Sequence, residues 1–368
     1  MSFSADDHRH MARALALAAR GLDSTAPNPR VGCVLVRDGA VVGEGWHRRA
    51  GEAHAEVEAL AAAGPRAQGA TAYVTLEPCS HHGRTPPCVD ALLRAGISRV
   101  VAAVEDPNPR VAGQGLAGLA AAGLAVEAGL MADEARELNA GFFARMTRGR
   151  PWLRLKIAAT LDGKTALPDG TSQWITGPAA RRDGHRWRAR SCAVMTGIGT
   201  LRDDDPRLTV RDVPAVRQPL RIVVDSHLRI APSARILEGG GVIVATATDD
   251  PVRAGRLAGC GASVWVLPDA RGKVDLRALL RRLGDEEVNE VLVEAGINLH
   301  SALFEAGLVD ELIFYLAPRL LGDGSRGMLD LPAAPSIAAM PGLDIRSHRW
   351  FGHDLRIVAR PLASSPST

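Results

Sequence analysis

The 368-residue sequence is poor in aromatic side chains, which make up 4%, and it has only five cysteines. Each scarcity excludes something. A groove for single-stranded nucleic acid interleaves basic groups with aromatics that stack on bases, and here aromatics are few while the formal net charge is only +3. A small, odd number of cysteines in a chain this long makes no disulfide framework, which points to a reducing cytoplasm. No apolar run reaches the roughly 18 to 20 residues of a membrane-spanning helix. The opening MSFSADDHRHMARAL carries acids and histidines where a signal peptide needs a basic start and an apolar run, so it reads as a helix.

Hydrophobic residues at 46% and charged residues at 23% give the balance of an ordinary globular protein. The length exceeds what one core organises, and a prior of about 150 residues per domain predicts two. The many arginines suit anionic groups on small substrates, phosphate above all.

Strand-like and helix-like segments alternate through the first half, the pattern of an α/β domain. A helix is expected near Asp7 to Arg20, strands at Gly32 to Val36 and Val41 to Glu44, and a helix from Ala55 to Ala63. A strand at Thr71 to Thr75, a helix at Val89 to Ala95, a strand at Arg99 to Val104, a helix at Gly115 to Ala122 and a strand at Leu124 to Glu127 follow. The long loop from Glu77 to Pro87 stands out, since loops of that length inside compact domains usually carry function. A helical stretch from Glu134 ends at Arg148-Gly149-Arg150-Pro151, whose breaker residues read as a linker. Alternation resumes at Trp152 and runs to the strand Glu311 to Leu316, forming a second α/β unit. The predicted domains are 1–147 and 151–363.

The segment GEAHAEV (51–57) enters a helix, and EPC (77–79) with PC (87–88) follows the next strand. One imidazole from His54 and two thiolates from Cys79 and Cys88 would hold tetrahedral Zn²⁺ with one position open, as catalytic sites do. Zinc lowers the pKa of bound water toward neutrality, which suits attack on a ring carbon bearing an amino group, with Glu56 carrying the proton to the departing amine. Residues two apart point oppositely inside a helix, so His54 and Glu56 must sit at its first turn. A lone His-x-Glu is a common chance match, and two cysteines nine positions apart are more often buried thiols; the ordered combination is what matches the zinc-deaminase pattern H-x-E then P-C-x-x-C. The gap between the cysteines is longer here, and it contains His81 and His82. The flanking cysteines are the better soft donors, leaving the histidines to face substrate.

The run EPCSHHGRTPPC (77–88), with NPRVG (28–32) upstream and EDPNP (105–109) downstream, resembles the bacterial bifunctional riboflavin biosynthesis family. KIAATLDGK (156–164) and SQWIT (172–176) resemble the reductase half of the same family. The resemblance implies a cytidine-deaminase-like three-layer α/β/α domain followed by a dihydrofolate-reductase-like α/β domain. It also implies zinc-dependent deamination of a phosphoribosyl diaminopyrimidine, then reduction of the ribosyl group to ribityl with NADPH. By the same resemblance Asn28 binds the pyrimidine, while His81, Arg84 and Thr85 meet the phosphoribosyl arm. Ala159, Trp174, Thr200, Asp204 and the turn Gly296, Ile297, Asn298 contact NADPH, with Ser226 a further cofactor candidate. Ser172, Arg188, Leu208, Arg211 and Glu294 contact substrate, and Lys156 holds the sugar oxygen. The resemblance further implies a homo-oligomer.

Two of these groups have an independent rationale. No G-x-G-x-x-G follows the first strand of the second half, so another phosphate cradle is needed, and TGIGT (196–200) and EAGINL (294–299) place small residues and free amides near helix starts. Taken singly, each is equally a plain strand-to-helix turn. Arg188 and Arg211 suit a sugar phosphate through paired hydrogen bonds, although most single arginines are solvated surface groups. Asp203, Asp204 and Asp205 read as a solvated turn, and Cys33, Cys192 and Cys260 as small core residues. Two other readings stay open: a nucleic-acid deaminase of the tRNA adenosine type with an unrelated appended domain, and a zinc-stabilised binding module whose second half holds nucleotide.

Overall fold

The computed structural model describes residues 3–80, 86–109 and 111–362, and divides the chain into two compact units, Met1–Gly149 and Arg150–Thr368. The candidate residues His81, Arg84 and Thr85 lie outside the described residues.

Unit 1 runs α1 (Ala5–Ala18), β1 (Gly32–Arg37), β2 (Ala40–Trp46), α2 (Ala55–Ala63), β3 (Thr71–Val74), α3 (Cys88–Arg94), β4 (Arg99–Ala102), α4 (Gln114–Ala121), β5 (Ala125–Ala128), α5 (Ala132–Leu138) and α6 (Ala140–Arg148). Its sheet has the order β2-β1-β3-β4-β5, antiparallel across β2, β1 and β3 and parallel from β3 to β5. Alternate side chains of a strand point to opposite faces. Cys33, Leu35, Ala72, Val74, Val100 and Ala102 therefore meet α2, α3 and α4 on one face, while Val34, Val36, Tyr73 and Val101 meet α1 and α6 on the other. This is the expected three-layer α/β/α arrangement.

Helix α2, which begins just after His54, lies close to the sheet for a steric reason. A Cβ built on Gly43 would strike the Ala59 carbonyl, and one on Gly45 the Ala55 carbonyl. Two glycines on β2, facing the alanines of α2, thus let backbone approach backbone. The helix predicted from Glu134 to Arg148 is broken in two at Asn139. Its buried amide pairs with the Arg30 main chain, accepting from Arg30 N at 2.8 Å and donating to Arg30 O at 2.9 Å, which holds the residue at φ −111°.

Unit 2 runs β6 (Trp152–Thr160), β7 (Lys164–Ala166), α7 (Pro178–Arg190), β8 (Ala193–Gly197), α8 (Ile198–Asp204), β9 (Leu220–Val224), β10 (Val242–Thr246), α9 (Pro251–Gly259), β11 (Ala262–Val266), α10 (Leu276–Asp285), β12 (Glu290–Val293), α11 (Ile297–Glu305), β13 (Glu311–Ala317), β14 (Arg326–Gly327), β15 (Leu343–Phe351) and β16 (Asp354–Pro361). The main sheet has the order β11-β10-β9-β8-β12-β6-β13-β16-β15. Its strands are parallel from β11 to β13, and β16 and β15 add antiparallel at one edge. Near-continuous apolar runs such as Val291 to Val293 follow from burial on both faces. On β6 the buried Arg154 guanidinium lies between Glu290 and Glu311, 2.6 Å from each. Neither carboxylate nor guanidinium can be left alone there, since an unpaired buried charge costs several kcal/mol. The triad thereby fixes the strand that carries Lys156 two residues on.

Helices α8 and α9 and the hairpin β15–β16 fall outside the predicted elements. Strand β15 is almost wholly exposed, so no alternation of apolar and polar residues marks it. Cys33 and Cys192 are buried as expected, whereas Cys260, ending α9, is half-buried. Among the described residues no helix is long and apolar enough to cross a membrane.

Candidate active sites

In unit 1 the close seating of α2 fixes where its first turn points. His54 is the residue just before the helix, still extended at φ −76° and ψ 161°, and Glu56 is the second residue within it. Both side chains therefore lean the same way, as the spacing required. The turn after β3 supplies Cys79, and Cys88 opens α3. The His54 Nδ1 atom lies 3.2 Å from Cys88 Sγ and 3.5 Å from Cys79 Sγ, and the ligand atoms of the three residues fall within 4.8 Å of one another. One imidazole nitrogen and two sulfurs converging at this spacing are the donor set zinc prefers, so the residues fit the metal. The Cys88 thiol, donating to Cys79, pulls the Cys79 thiol down, against burial and with help from His54 and the Cys88 amide. That thiol is thus disposed to the thiolate form a metal needs.

Glu56 is 3% exposed, and burial pushes its carboxyl up to about 7, with His54 opposing and Cys79 adding to the rise. A carboxyl poised near neutrality takes up and gives back a proton with little free-energy cost either way. Asn28, the predicted pyrimidine ligand, donates from Nδ2 toward His47 Nε2 at 3.0 Å. His47 donates from Nδ1 to the Ala53 carbonyl at 3.0 Å, and its ring meets that of His54 edge-on at 5.3 Å. The sequence reading missed His47, because a single histidine in a strand-exit loop carries no spacing signal. It also passed over Glu77 beyond its place in the motif. The buried Glu77 carboxylate accepts from the amides of Asp106 (3.0 Å), Gly113 (2.9 Å), Gly115 (2.8 Å) and Leu116 (3.2 Å). It thus binds the EDPNP segment and the start of α4 beside the Cys79 turn.

Unit 2 contains a cleft of about 940 Å³. Lys156, Ser172, Trp174, Arg188, Thr200, Asp204, Leu208, Arg211, Ser226, Glu294, Gly296, Ile297 and Asn298 all line it, gathered from segments up to 142 positions apart. Ala159 does not. It is fully buried, and its neighbours Lys156, Ile157 and Ala158 on β6 take the lining positions.

Glu294 closes the end of β12, and Arg188 reaches it from α7 with two parallel bonds, Nε to Oε1 at 2.5 Å and Nη2 to Oε2 at 3.0 Å. Lys156 Nζ stands 3.5 Å from the same Oε2. Burial would raise the Glu294 carboxyl, but Arg188 and Lys156 outweigh it and hold the group at about 2. The turn that follows is tied back by His300, whose Nε2 accepts the Ala295 amide at 3.3 Å. Burial, then Lys156, lowers His300 to about 4, so the imidazole is neutral at ordinary pH.

The three aspartates do not form one solvated turn. Asp203 pairs with Arg326 at 3.0 Å, Asp204 accepts from Ser172 Oγ and Gln173 Nε2, each at 3.2 Å, and Asp205 accepts the Arg235 amide at 2.9 Å. A Cβ on Gly296 would stand 4.0 Å from Thr200 Oγ1, so the TGIGT and EAGINL turns face each other across a gap that a side chain would narrow. Trp174 is 64% exposed at the rim with the Arg181 guanidinium 4.6 Å over its ring, and an exposed indole suits stacking by a flat ring. Cleft, paired turns and exposed indole fit a dinucleotide.

Residues 4–104 match the model of the cytidine and deoxycytidylate deaminase zinc-binding region, and residues 151–356 that of the RibD C-terminal domain. The riboflavin biosynthesis protein RibD of Escherichia coli is 50% identical over 95% of this chain and 98% of its own. This chain belongs to the RibD family. The Haemophilus influenzae RibD is 43% identical over 98% of this chain and 99% of its own. Among solved structures, Acinetobacter baumannii RibD superposes with a TM-score of 0.91 at 44% identity, covering 97% of this chain and 99% of that one. A diaminohydroxyphosphoribosylaminopyrimidine deaminase/5-amino-6-(5-phosphoribosylamino)uracil reductase from Thermotoga maritima gives 0.86 at 32%, with the same coverage. As a RibD-family protein the chain is a bifunctional deaminase and reductase of riboflavin biosynthesis, with a zinc-binding deaminase domain and an NADPH-dependent reductase domain.

Proposed function

We propose that the chain deaminates 2,5-diamino-6-ribosylamino-4(3H)-pyrimidinone 5′-phosphate and then reduces the ribosyl group of 5-amino-6-(5-phosphoribosylamino)uracil to ribityl. The observation that carries the first step is the convergence of the His54, Cys79 and Cys88 donor atoms beside the buried carboxyl of Glu56. Zinc, when bound by these three, supplies Lewis-acid activation of water against the amino-bearing ring carbon. Glu56 accepts a proton from the water and delivers it to the departing amine. Asn28, steadied by His47, orients the pyrimidine.

In the second step NADPH supplies the hydride. Trp174, Thr200, Asp204, Ser226 and the Gly296 to Asn298 turn hold the cofactor. Arg188 and Arg211 take the 5′-phosphate, with Ser172 and Leu208 completing that wall. Lys156, held by Glu294, places its positive charge at the sugar oxygen. The five free thiols support a reducing cytoplasm, and the near-balanced charge supports a small-molecule substrate rather than nucleic acid. The protein acts as a homo-oligomer.

Purified zinc-loaded protein is given the phosphoribosyl diaminopyrimidine with NADPH, and ammonia and NADPH are followed together. Ammonia release preceding NADPH consumption is expected. Absence of ammonia rejects the deaminase assignment, and ammonia without NADPH loss rejects the reductase assignment.

A further inference from the structure

We propose that His185 is a positioning residue for the reductase substrate's phosphate: a neutral imidazole in one fixed tautomer that sets the main chain carrying Arg211. The inference rests on Arg188 and Arg211 being the phosphate ligands.

His185 is 7% exposed on α7, three residues before Arg188 and on the same helical face. The Arg211 amide donates to its Nδ1 at 3.3 Å. A main-chain N–H has only a proton to offer, so Nδ1 presents its lone pair and the ring proton resides on Nε2. Nε2 faces the Asp212 carboxylate at 3.3 Å and donates to it. Two consecutive residues of one segment thus read the two ring nitrogens in opposite senses, which only one tautomer satisfies. Protonating Nδ1 would set two N–H groups against each other. Burial, then the nearby Arg188 charge, lowers the imidazole to about 4, in keeping with that neutral state.

The segment held this way needs holding. Leu208 is buried with φ 53°, a left-handed conformation that costs a residue with a Cβ about 1 kcal/mol or more. Arg188 Nη1 donates to the Thr209 carbonyl at 3.0 Å, and Gln218 clasps Val210 at both N (2.8 Å) and O (3.1 Å). Those bonds fix the main chain up to Val210. His185 is the side chain that grips the next amide, Arg211's own, and so decides where its guanidinium leaves the main chain. The helix beneath is itself anchored, since Asp183 accepts from Tyr315 Oη at 2.6 Å and Arg356 at 2.7 Å. One rigid turn of α7 therefore spaces both arginines, Arg188 directly and Arg211 through His185.

The test compares wild type, His185→Leu and His185→Asn on the phosphorylated reductase substrate and its 5′-dephosphorylated analogue. Loss of the bonds from the Arg211 amide and to the Asp212 carboxylate predicts a KM for the phosphorylated substrate raised about ten-fold in His185→Leu, with kcat within about two-fold. The kcat/KM of the dephosphorylated analogue stays unchanged, and ribose 5-phosphate inhibits the variant about ten-fold less well. His185→Asn, whose Oδ1 can accept the Arg211 amide, recovers most of the loss. Equal losses on both substrates, or none on either, overturn the proposal. Nitrogen NMR of ¹⁵N-histidine protein reads the tautomer in wild type without any variant, and a protonated Nδ1 at neutral pH also overturns it. Wild type that fails to turn over the phosphorylated substrate would instead reject the reductase reading itself.

Discussion

Glu294 and Arg188 meet in a two-point ion pair, Nε to Oε1 and Nη2 to Oε2, at the floor of the reductase cleft. The same carboxylate reaches Lys156, so a single anion orders both the cation assigned to the phosphate and the cation assigned to the sugar oxygen. The arrangement makes this carboxylate a determinant of stability as well as of binding. The paired geometry limits each cation to a small range of positions before substrate arrives.

With its folded pKa near 2 against an ordinary 4.5, Glu294 stabilises unit 2 fully above about pH 4.5 and progressively less as pH falls toward 2. At about 1.4 kcal/mol per pH unit the effect is worth about 3 kcal/mol. Thermal unfolding followed from pH 7 to pH 3 should show Glu294→Gln less stable at neutrality and flatter in acid than wild type. A variant whose acid slope matches wild type would show that the ion pair carries no net stability.

Glu56→Gln should lower ammonia release by at least about 10²-fold, since the group that moves the proton is gone, while bound zinc measured by atomic absorption stays at the wild-type level. Zinc loss with activity would point instead to a structural role for the carboxyl.

Cys88→Ser should remove zinc and deamination together. NADPH oxidation on the already deaminated substrate should persist within about two-fold, because the described residues that line the reductase cleft all belong to unit 2. Parallel loss of both activities would contradict two separate sites.

Gly296 has φ −88°, which any residue adopts, so a substitution there acts through volume rather than backbone strain. Gly296→Val should weaken NADPH binding about ten-fold or more by filling the gap before Thr200, with an unchanged circular dichroism spectrum. Calorimetric titration with NADPH checks this, and unaltered affinity would remove the two turns from the cofactor site.

Gly45→Val should push α2 away from β2, because the added side chain would overlap the Ala55 carbonyl. Reduced zinc content at equal protein concentration is expected, and full zinc occupancy would show that the close seating of α2 does not set the ligand geometry.

Much of the fold was written in local pattern. Helix α2 begins and ends where the sequence places it, because an alanine-rich run closed by Gly64 favours helix through residues that are neighbours in the chain. The cluster of candidate zinc ligands was legible for a similar reason, as few residue types bind zinc and their order along strand, turn and helix is itself a motif. Strand β15 was not legible, since a strand exposed on both faces leaves no hydrophobic alternation to read.

What only tertiary structure decided is contact between distant segments. Ala159 and Ala158 are the same residue type one position apart, yet only Ala158 borders the cleft while Ala159 is fully buried. His47 meets Asn28 and His185 meets Arg211 through imidazole nitrogens whose partners lie 19 and 26 positions away. The glycines of β2 reveal their purpose only with α2 laid across them. The sequence determined which chemistries the chain holds, because those depend on residue type and near spacing. Folding decided which side chains steady them, because a buried polar group takes whatever partner the packing of remote elements brings within hydrogen-bond reach.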